Sequence, residues 1–500
     1  MEEKYIESSR RLLDFIKKSP SCFHVVENFT ERLLSCGFTE LKEEASWKIV
    51  AGGKYFVCRN DSSIIAFVVP SLEFENFQIA AAHSDSPSFK IKENPEMCCD
   101  GIYVKLNIEK YGGMICAPWF DRPLSVAGKI TVKTKNGFEC RLVNIDRDLL
   151  LIPNLAIHMD RNVNDGHAYN VQNELLPLFA CSSGEDGSSA NDMNGRFLEI
   201  IAENAGVKSK DILGTDLFLY NRQNGSIWGA DNEFISSAKL DDLQCAYALV
   251  EGLIGACCNA SQPTKTGSKN KSGDNALASK TIPVVCVFDN EEVGSTTKQG
   301  ADSTFLSDVL ERICISCCAS SAAFTGAHPT ADNNLAASDK SAASTSCSSW
   351  QEEYRIALSK SFMISADNAH AVHPNYSEKA DPTNRPYING GIVIKFNANQ
   401  KYTTDSVSEA VFKELCNKAG VPFQTYVNRS DIAGGSTLGN ISNSHVSINT
   451  VDVGLPQLAM HSPYETAGVM DTQYLIELAE KFFRIQIKKV GKSFSFIVCS

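Results

Sequence analysis

Short, almost wholly apolar runs recur at both ends of this chain and are missing from its middle, and that alternation constrains the fold most. The runs lie at 64–69, 77–82, 282–288, 362–366, 391–396 and 455–460. Runs this short are strands, and near-continuous apolarity buries both faces, as in a parallel sheet covered by helices. Helical patterns alternate with them, at 12–36 with a break at Ser19-Pro20, and at 240–257. From 89 to about 228 the texture turns β-rich, with Gly, Pro and Asn turns and strand-like stretches at 102–108, 129–133 and 141–145. The sequence therefore predicts an α/β fold. A mostly parallel sheet flanked by helices is built from 1–88 and 237–500, with a β-rich domain, 89–236, inserted between them. Two stretches, 259–280 and 326–349, are rich in Ser, Ala, Asn, Lys and Gly and are expected to be mobile surface insertions.

With 500 residues, 43% hydrophobic and 21% charged, the chain can bury a large core without cross-links. Its 18 cysteines do not read as a disulfide framework. Cys98–Cys99, Cys257–Cys258 and Cys317–Cys318 are adjacent pairs, and others sit inside apolar runs, where a thiol behaves as a small hydrophobe. The Cys314–Cys317 spacing is a lone pair in a helical stretch, not a zinc ribbon. The N-terminus is amphipathic with mixed charge, and no run of about eighteen apolar residues occurs. A reducing, cytoplasmic location is expected. A net charge of −12 excludes nucleic acid as a partner, and requires any acidic substrate to meet a local cation.

Polar clusters stand where apolar runs end. AAHSDSP places His83 and Asp85 two apart, on one side of an extended segment. A metal-ligating imidazole with a carboxylate on its other nitrogen would look like this, as would a plain polar loop. KLDDL puts Asp241 at a helix start, a position that also suits a cap. VFDNEEVGS crowds Glu291 and Glu292 behind a strand. Such crowding is costly without a cation, and it suits one carboxylate on a metal and its neighbour moving a proton. ISADNAHAVHPNY holds Asp367, His370 and His373, and LAMHSPYE ends an apolar run on His461. These loops belong to the α/β part, and at the carboxyl edge of an open sheet they would converge. Two histidines and three carboxylates without thiolate suit paired zinc, manganese or cobalt better than a structural cysteine site.

In their order, HSDSP, KLDDL, NEEVGS, SADNAHAVHPNY and QLAMHS resemble the aspartyl aminopeptidase family of co-catalytic metallopeptidases. The likeness runs from Ser19 to the C-terminus and includes 152–164 and 390–402. The two low-complexity stretches depart from the family pattern, as does Asp242 where an Asn is common. The resemblance implies a zinc-peptidase fold whose inserted domain dimerises, with dimers assembled into a tetrahedral dodecamer. It implies two divalent ions per subunit, zinc first, with manganese or cobalt fitting the same donors. His83, Asp241 and Asp367 would hold one; Asp241, Glu292 and His461 the other. Glu291 would act as base and acid in hydrolysis of the first peptide bond by a metal-activated water, with Asp85 behind His83. His370 would contact substrate, and His158 would reach a neighbouring subunit's site. Lys395, costly to bury unpaired in an apolar strand, and Tyr402 would read an N-terminal Asp or Glu. An aminopeptidase of broader specificity and a self-assembling scaffold or cargo particle are the alternatives.

Overall fold

The structure is a computed structural model that describes residues 1–182, 195–258, 277–324 and 350–498. The expected insertions fall outside the described residues, except for 277–280 of the first. The chain opens with two helices, Glu3–Lys18 and Cys22–Ser35, split at Ser19-Pro20. Among the described residues, a nine-stranded sheet forms the centre. Its order is Thr39–Glu40, Gly53–Arg59, Ser63–Val69, Thr281–Phe288, Asn76–His83, Phe362–Ala366, Asn449–Gly454, Ile392–Phe396 and Phe423–Val427. The four central strands, Thr281–Phe288, Asn76–His83, Phe362–Ala366 and Asn449–Gly454, run parallel, and antiparallel pairings appear only further out.

The apolar runs are buried on both faces, as their composition requires. Ser63–Val69, Asn76–His83 and Thr281–Phe288 are buried at every position. One face packs on the helices Leu240–Cys258 and Asp471–Arg484, with Leu249, Leu253, Phe482 and Phe483 in the shared core. The other packs on the helix Phe305–Phe324, through Phe305, Leu310 and Ile313, and on Tyr354.

The middle of the chain forms a separate six-stranded antiparallel sheet, in the order Gly137–Asn144, Leu124–Thr134, Ile212–Asn221, Ser88–Cys99, Tyr103–Tyr111 and Leu178–Cys181. It has its own apolar core around Phe89, Trp119, Val126 and Leu217. A third sheet, of five short strands, takes Glu465–Gly468, Pro456–Leu458 and Ala369–His370.

One expected element is corrected. The run at 455–460 does not enter the large sheet; the sheet strand is Asn449–Gly454, and Pro456–Leu458 joins the small one. Asp452 explains the misreading. It breaks the apolar pattern of the true strand, yet it is buried because Thr403 N–H and the hydroxyls of Thr403 and Thr437 donate to it. Among the described residues no disulfide forms, and no helix is long and apolar enough to cross a membrane.

Candidate metal centre

Register brings the polar loops together. In the parallel pairing, His83 lies opposite Phe288, so Asp289, Asn290, Glu291 and Glu292 leave the sheet beside it. On the other side Ser365 pairs with Ala81, which sets Asp367 level with His83. The helix Leu240–Cys258 begins at the same edge, and its Asp242 accepts a hydrogen bond from the His83 N–H at 3.1 Å. Glu465, in the small sheet, accepts from the N–H groups of Asp241 (3.0 Å) and His461 (2.7 Å), tying the fifth loop to the helix start. Asn290 and His461 are held in the left-handed region, at φ 62° and φ 67°; such strain gathers at functional sites.

Three ligand groups result. One nitrogen or carboxylate oxygen each from His83, Asp241 and Asp367 fall within 4.8 Å of one another, as do those of Asp241, Glu292 and His461. The two triplets share Asp241. Glu291 joins a third, with His83 and Glu292. His83 Nε2 lies 3.7 Å from one oxygen of Asp241, and His461 Nε2 lies 3.3 Å from the other and 3.4 Å from Glu292. Both rings are oriented from behind. His83 Nδ1 lies 3.1 Å from the Asp85 carbonyl and 3.3 Å from its carboxylate, and His461 Nδ1 meets the Gly113 carbonyl. Each Nε2 is thereby left facing the carboxylates.

The donor set fits divalent ions. Asp241 Oδ1 and Glu292 Oε1 are buried without a hydrogen-bond partner, a costly state for carboxylate oxygens unless a cation faces them. Burial, then neighbouring carboxylates, pushes Glu291 up to about 8 and raises Glu292 well above its ordinary value. Burial also raises Asp367, partly offset by Lys395. Burial would raise Asp241 as well, but the imidazoles of His461 and His83 beside it, at 3.3 and 3.7 Å, hold it well below the usual carboxylate range. Against the pull of burial, the neighbouring carboxylates lift His461 to about 9 and raise His83 well above its ordinary value. Protons thus occupy the places that metals would take, and binding a metal would release them.

Of the remaining predicted residues, Asp85 is a hub. Its carboxylate accepts from the N–H groups of Glu291 and Glu292, both at 3.1 Å, and from Tyr111 Oη at 2.7 Å. Lys395 does not snorkel. It is 3% exposed, and its Nζ lies 3.1 Å from the Asn368 carbonyl, 3.4 Å from Asp367 and 5.4 Å from the Tyr402 ring centre. His370 is exposed at the same rim, edge-on to Tyr426, while His373 packs on Tyr376. His158 is not brought to the cluster; it is exposed in the middle sheet's long loop, among exposed Leu155, Ile157 and Met159. Sequence reasoning missed Glu465, although it closes the LAMHSPYE motif, and Tyr111 and Gly113, which lie in the middle segment where no polar cluster drew attention.

A family model described as aminopeptidase I zinc metalloprotease (M18) matches residues 15–483. A curated protein of Clostridium acetobutylicum, "Probable M18 family aminopeptidase 2", is 45% identical over 484 residues, covering 96% of this chain and 99% of that protein. The solved "Cryo-EM structure of the Ape4 and Nbr1 complex" superposes with a TM-score of 0.82 at 34% identity, over 96% of this chain and 86% of that one. The structure of the S. cerevisiae mApe1 dodecamer gives a TM-score of 0.73 at 24% identity, over 96% and 97%, a likeness of fold.

Proposed function

The chain belongs to the M18 family of aminopeptidase I zinc metalloproteases, and from that premise we propose that this zinc aminopeptidase releases N-terminal Asp or Glu from peptides. The observation that carries the acidic preference is Lys395, a buried ammonium on an apolar strand, held beside Asp367 and the Asn368 carbonyl. In the free protein its charge is balanced by Asp367. Once Asp367 shares its charge with a metal, Lys395 holds a surplus positive charge in a poorly solvated place, which an acidic side chain would neutralise. Tyr402, beside it, supplies a hydroxyl to the same carboxylate.

In this reading His83, Asp241 and Asp367 would hold one divalent ion and Asp241, Glu292 and His461 the other, with Asp241 common to both triplets. Zinc is the first expectation, with manganese or cobalt accepted by the same donors. When bound, the ions supply Lewis acidity to the scissile carbonyl and to an attacking water. Glu291 takes the proton from that water and returns it to the leaving amine, and its raised affinity for a proton suits it to both tasks. Asp85 keeps Glu291 in place through the backbone N–H bond and keeps His83 turned to the ligand cluster. His370, at the rim, contacts the substrate.

The unit 89–236 is proposed to dimerise, within a dodecamer of tetrahedral arrangement, and the exposed loop around His158 would then reach a neighbouring subunit's site. Its exposed Leu155, Ile157 and Met159 support a covered surface there. Buried free thiols such as Cys245, Cys286 and Cys416 suit the cytoplasm. The test is hydrolysis of aspartyl, glutamyl and leucyl anilides after metal stripping and after adding back each metal singly. Metal-dependent hydrolysis that favours the acidic residues is expected. Preference for leucyl substrate would leave an aminopeptidase of another specificity, and no hydrolysis with any metal would leave a scaffold.

A further inference from the structure

The β-rich unit does more than sit beside the metal centre, because one short segment of it touches three of the loops that converge there. The strand Tyr103–Tyr111 ends at the site's outer wall. Tyr111 Oη donates to Asp85 Oδ2 at 2.7 Å and accepts from Asn290 Nδ2 at 2.9 Å. Gly112, at φ 75°, lies so close to Glu292 that a Cβ there would stand 3.2 Å from the Glu292 Cβ. The Gly113 carbonyl accepts from His461 Nδ1, and the Ile115 N–H donates to the His461 carbonyl at 3.1 Å. The segment 111–115 thus fastens the loop after Asn76–His83, the loop after Thr281–Phe288 and the His461 turn, none of which it adjoins in sequence.

We infer that Tyr111 is a positioning residue for the metal centre, through which the β-rich unit sets the strength of zinc binding. Its hydroxyl fixes the one carboxylate that both orients His83 and accepts the N–H groups of Glu291 and Glu292. A freely turning Asp85 would release the His83 ring and the Glu291–Glu292 backbone together. Partners standing behind metal ligands typically set affinity by ten- to a hundredfold. The ring itself has a separate job, packing edge-on against Phe218 at 5.5 Å. Hydroxyl and ring can therefore be tested apart.

The inference rests on the ligand assignment proposed above, so the experiment includes a ligand variant. Zinc affinity of the full chain is measured by competition with a chromogenic chelator, which needs no turnover. Tyr111→Phe keeps the ring and is expected to weaken zinc about tenfold or more. Phe218→Leu loosens the ring and is expected to lower the melting temperature while leaving zinc affinity within about twofold. Asp241→Asn is expected to abolish binding. Difluorotyrosine at position 111, a stronger donor of nearly native shape, should bind zinc at least as tightly as the native chain, and it serves also if Tyr111→Phe fails to fold. Native zinc affinity in Tyr111→Phe, an equal loss in Phe218→Leu, or a loss with difluorotyrosine each overturns the positioning role. Undiminished zinc binding by Asp241→Asn overturns the ligand assignment instead, and the role of Tyr111 falls with it.

Discussion

Replacing Lys395 with methionine separates two tasks that its geometry assigns to one ammonium. Methionine keeps most of the volume of a side chain that is only 4% exposed, so the main change is the lost charge. Toward Asp367, Coulomb's law at an effective dielectric of about 20 gives about 5 kcal/mol at the observed 3.4 Å, an upper bound on what holds that carboxylate ionised. Its loss raises the Asp367 pKa further and weakens zinc binding, which saturating zinc can offset. Toward an acidic substrate, a hydrogen bond to a charged group is worth about 1.5–3 kcal/mol, or roughly ten- to a hundredfold in kcat/KM. The assay is kcat/KM for aspartyl and alanyl anilides at saturating zinc, with bound zinc measured. The aspartyl value should fall by that factor while the alanyl value stays within about threefold. If both fall equally with zinc fully bound, Lys395 acts through Asp367 alone and the specificity argument is wrong.

Three further outcomes follow from the same geometry. Glu291→Gln should keep its zinc and lose about 10²–10⁴ in turnover; near-native turnover would remove its proton-carrying role. Chelation should lower the melting temperature, and more so at higher pH. In the zinc-free protein, burial raises Glu291 to about 8 and Glu292 well above its ordinary value, so that stability is whole below their unfolded pKa of 4.5 and is lost as pH rises through about 8. The gap between loaded and stripped melting temperatures should therefore widen from about pH 6 to about pH 8.5, and a narrowing gap would refute the account. His24 carries the opposite sign. Burial, then Lys239, depresses it from 6.5 to about 4, so stability is whole above pH 6.5 and falls by at most about 3 kcal/mol toward pH 4. His24→Gln should flatten that limb in denaturant titrations, and an unchanged slope would place the titration elsewhere.

The central sheet strands were legible because burial on both faces leaves short apolar runs, and 64–69, 77–82 and 282–288 differ from the observed strands by at most a residue at either end. Asn449–Gly454 was not, because the donors that satisfy Asp452 come from Thr403 and Thr437, far from any pattern inside the strand. Tyr111 and Glu465 were opaque for a related reason. A lone tyrosine at a strand end and a glutamate after a proline-tyrosine pair carry no local signal, and their importance comes from what folding brings opposite them. His461 was legible as a residue type but not as a conformation, since nothing in LAMHSPYE announces a turn at φ 67°.

Crowding this many carboxylates at one sheet edge raises the question of which are structural, and their hydrogen bonds divide them. Asp85 and Glu465 spend their oxygens on backbone N–H groups, two apiece, and so build the loops. Asp242 accepts the His83 N–H with one oxygen and leaves the other buried and bare. Asp241 and Glu292 also turn bare oxygens inward, and these two carboxylates face the imidazole Nε2 atoms, at 3.3–3.7 Å. A carboxylate kept for structure has no reason to remain unbonded next to a histidine whose other nitrogen is already occupied from behind. Buried carboxylate oxygens left bare on Asp241 and Glu292, among loops that Asp85 and Glu465 hold by their backbone N–H groups, are what a pair of cations needs.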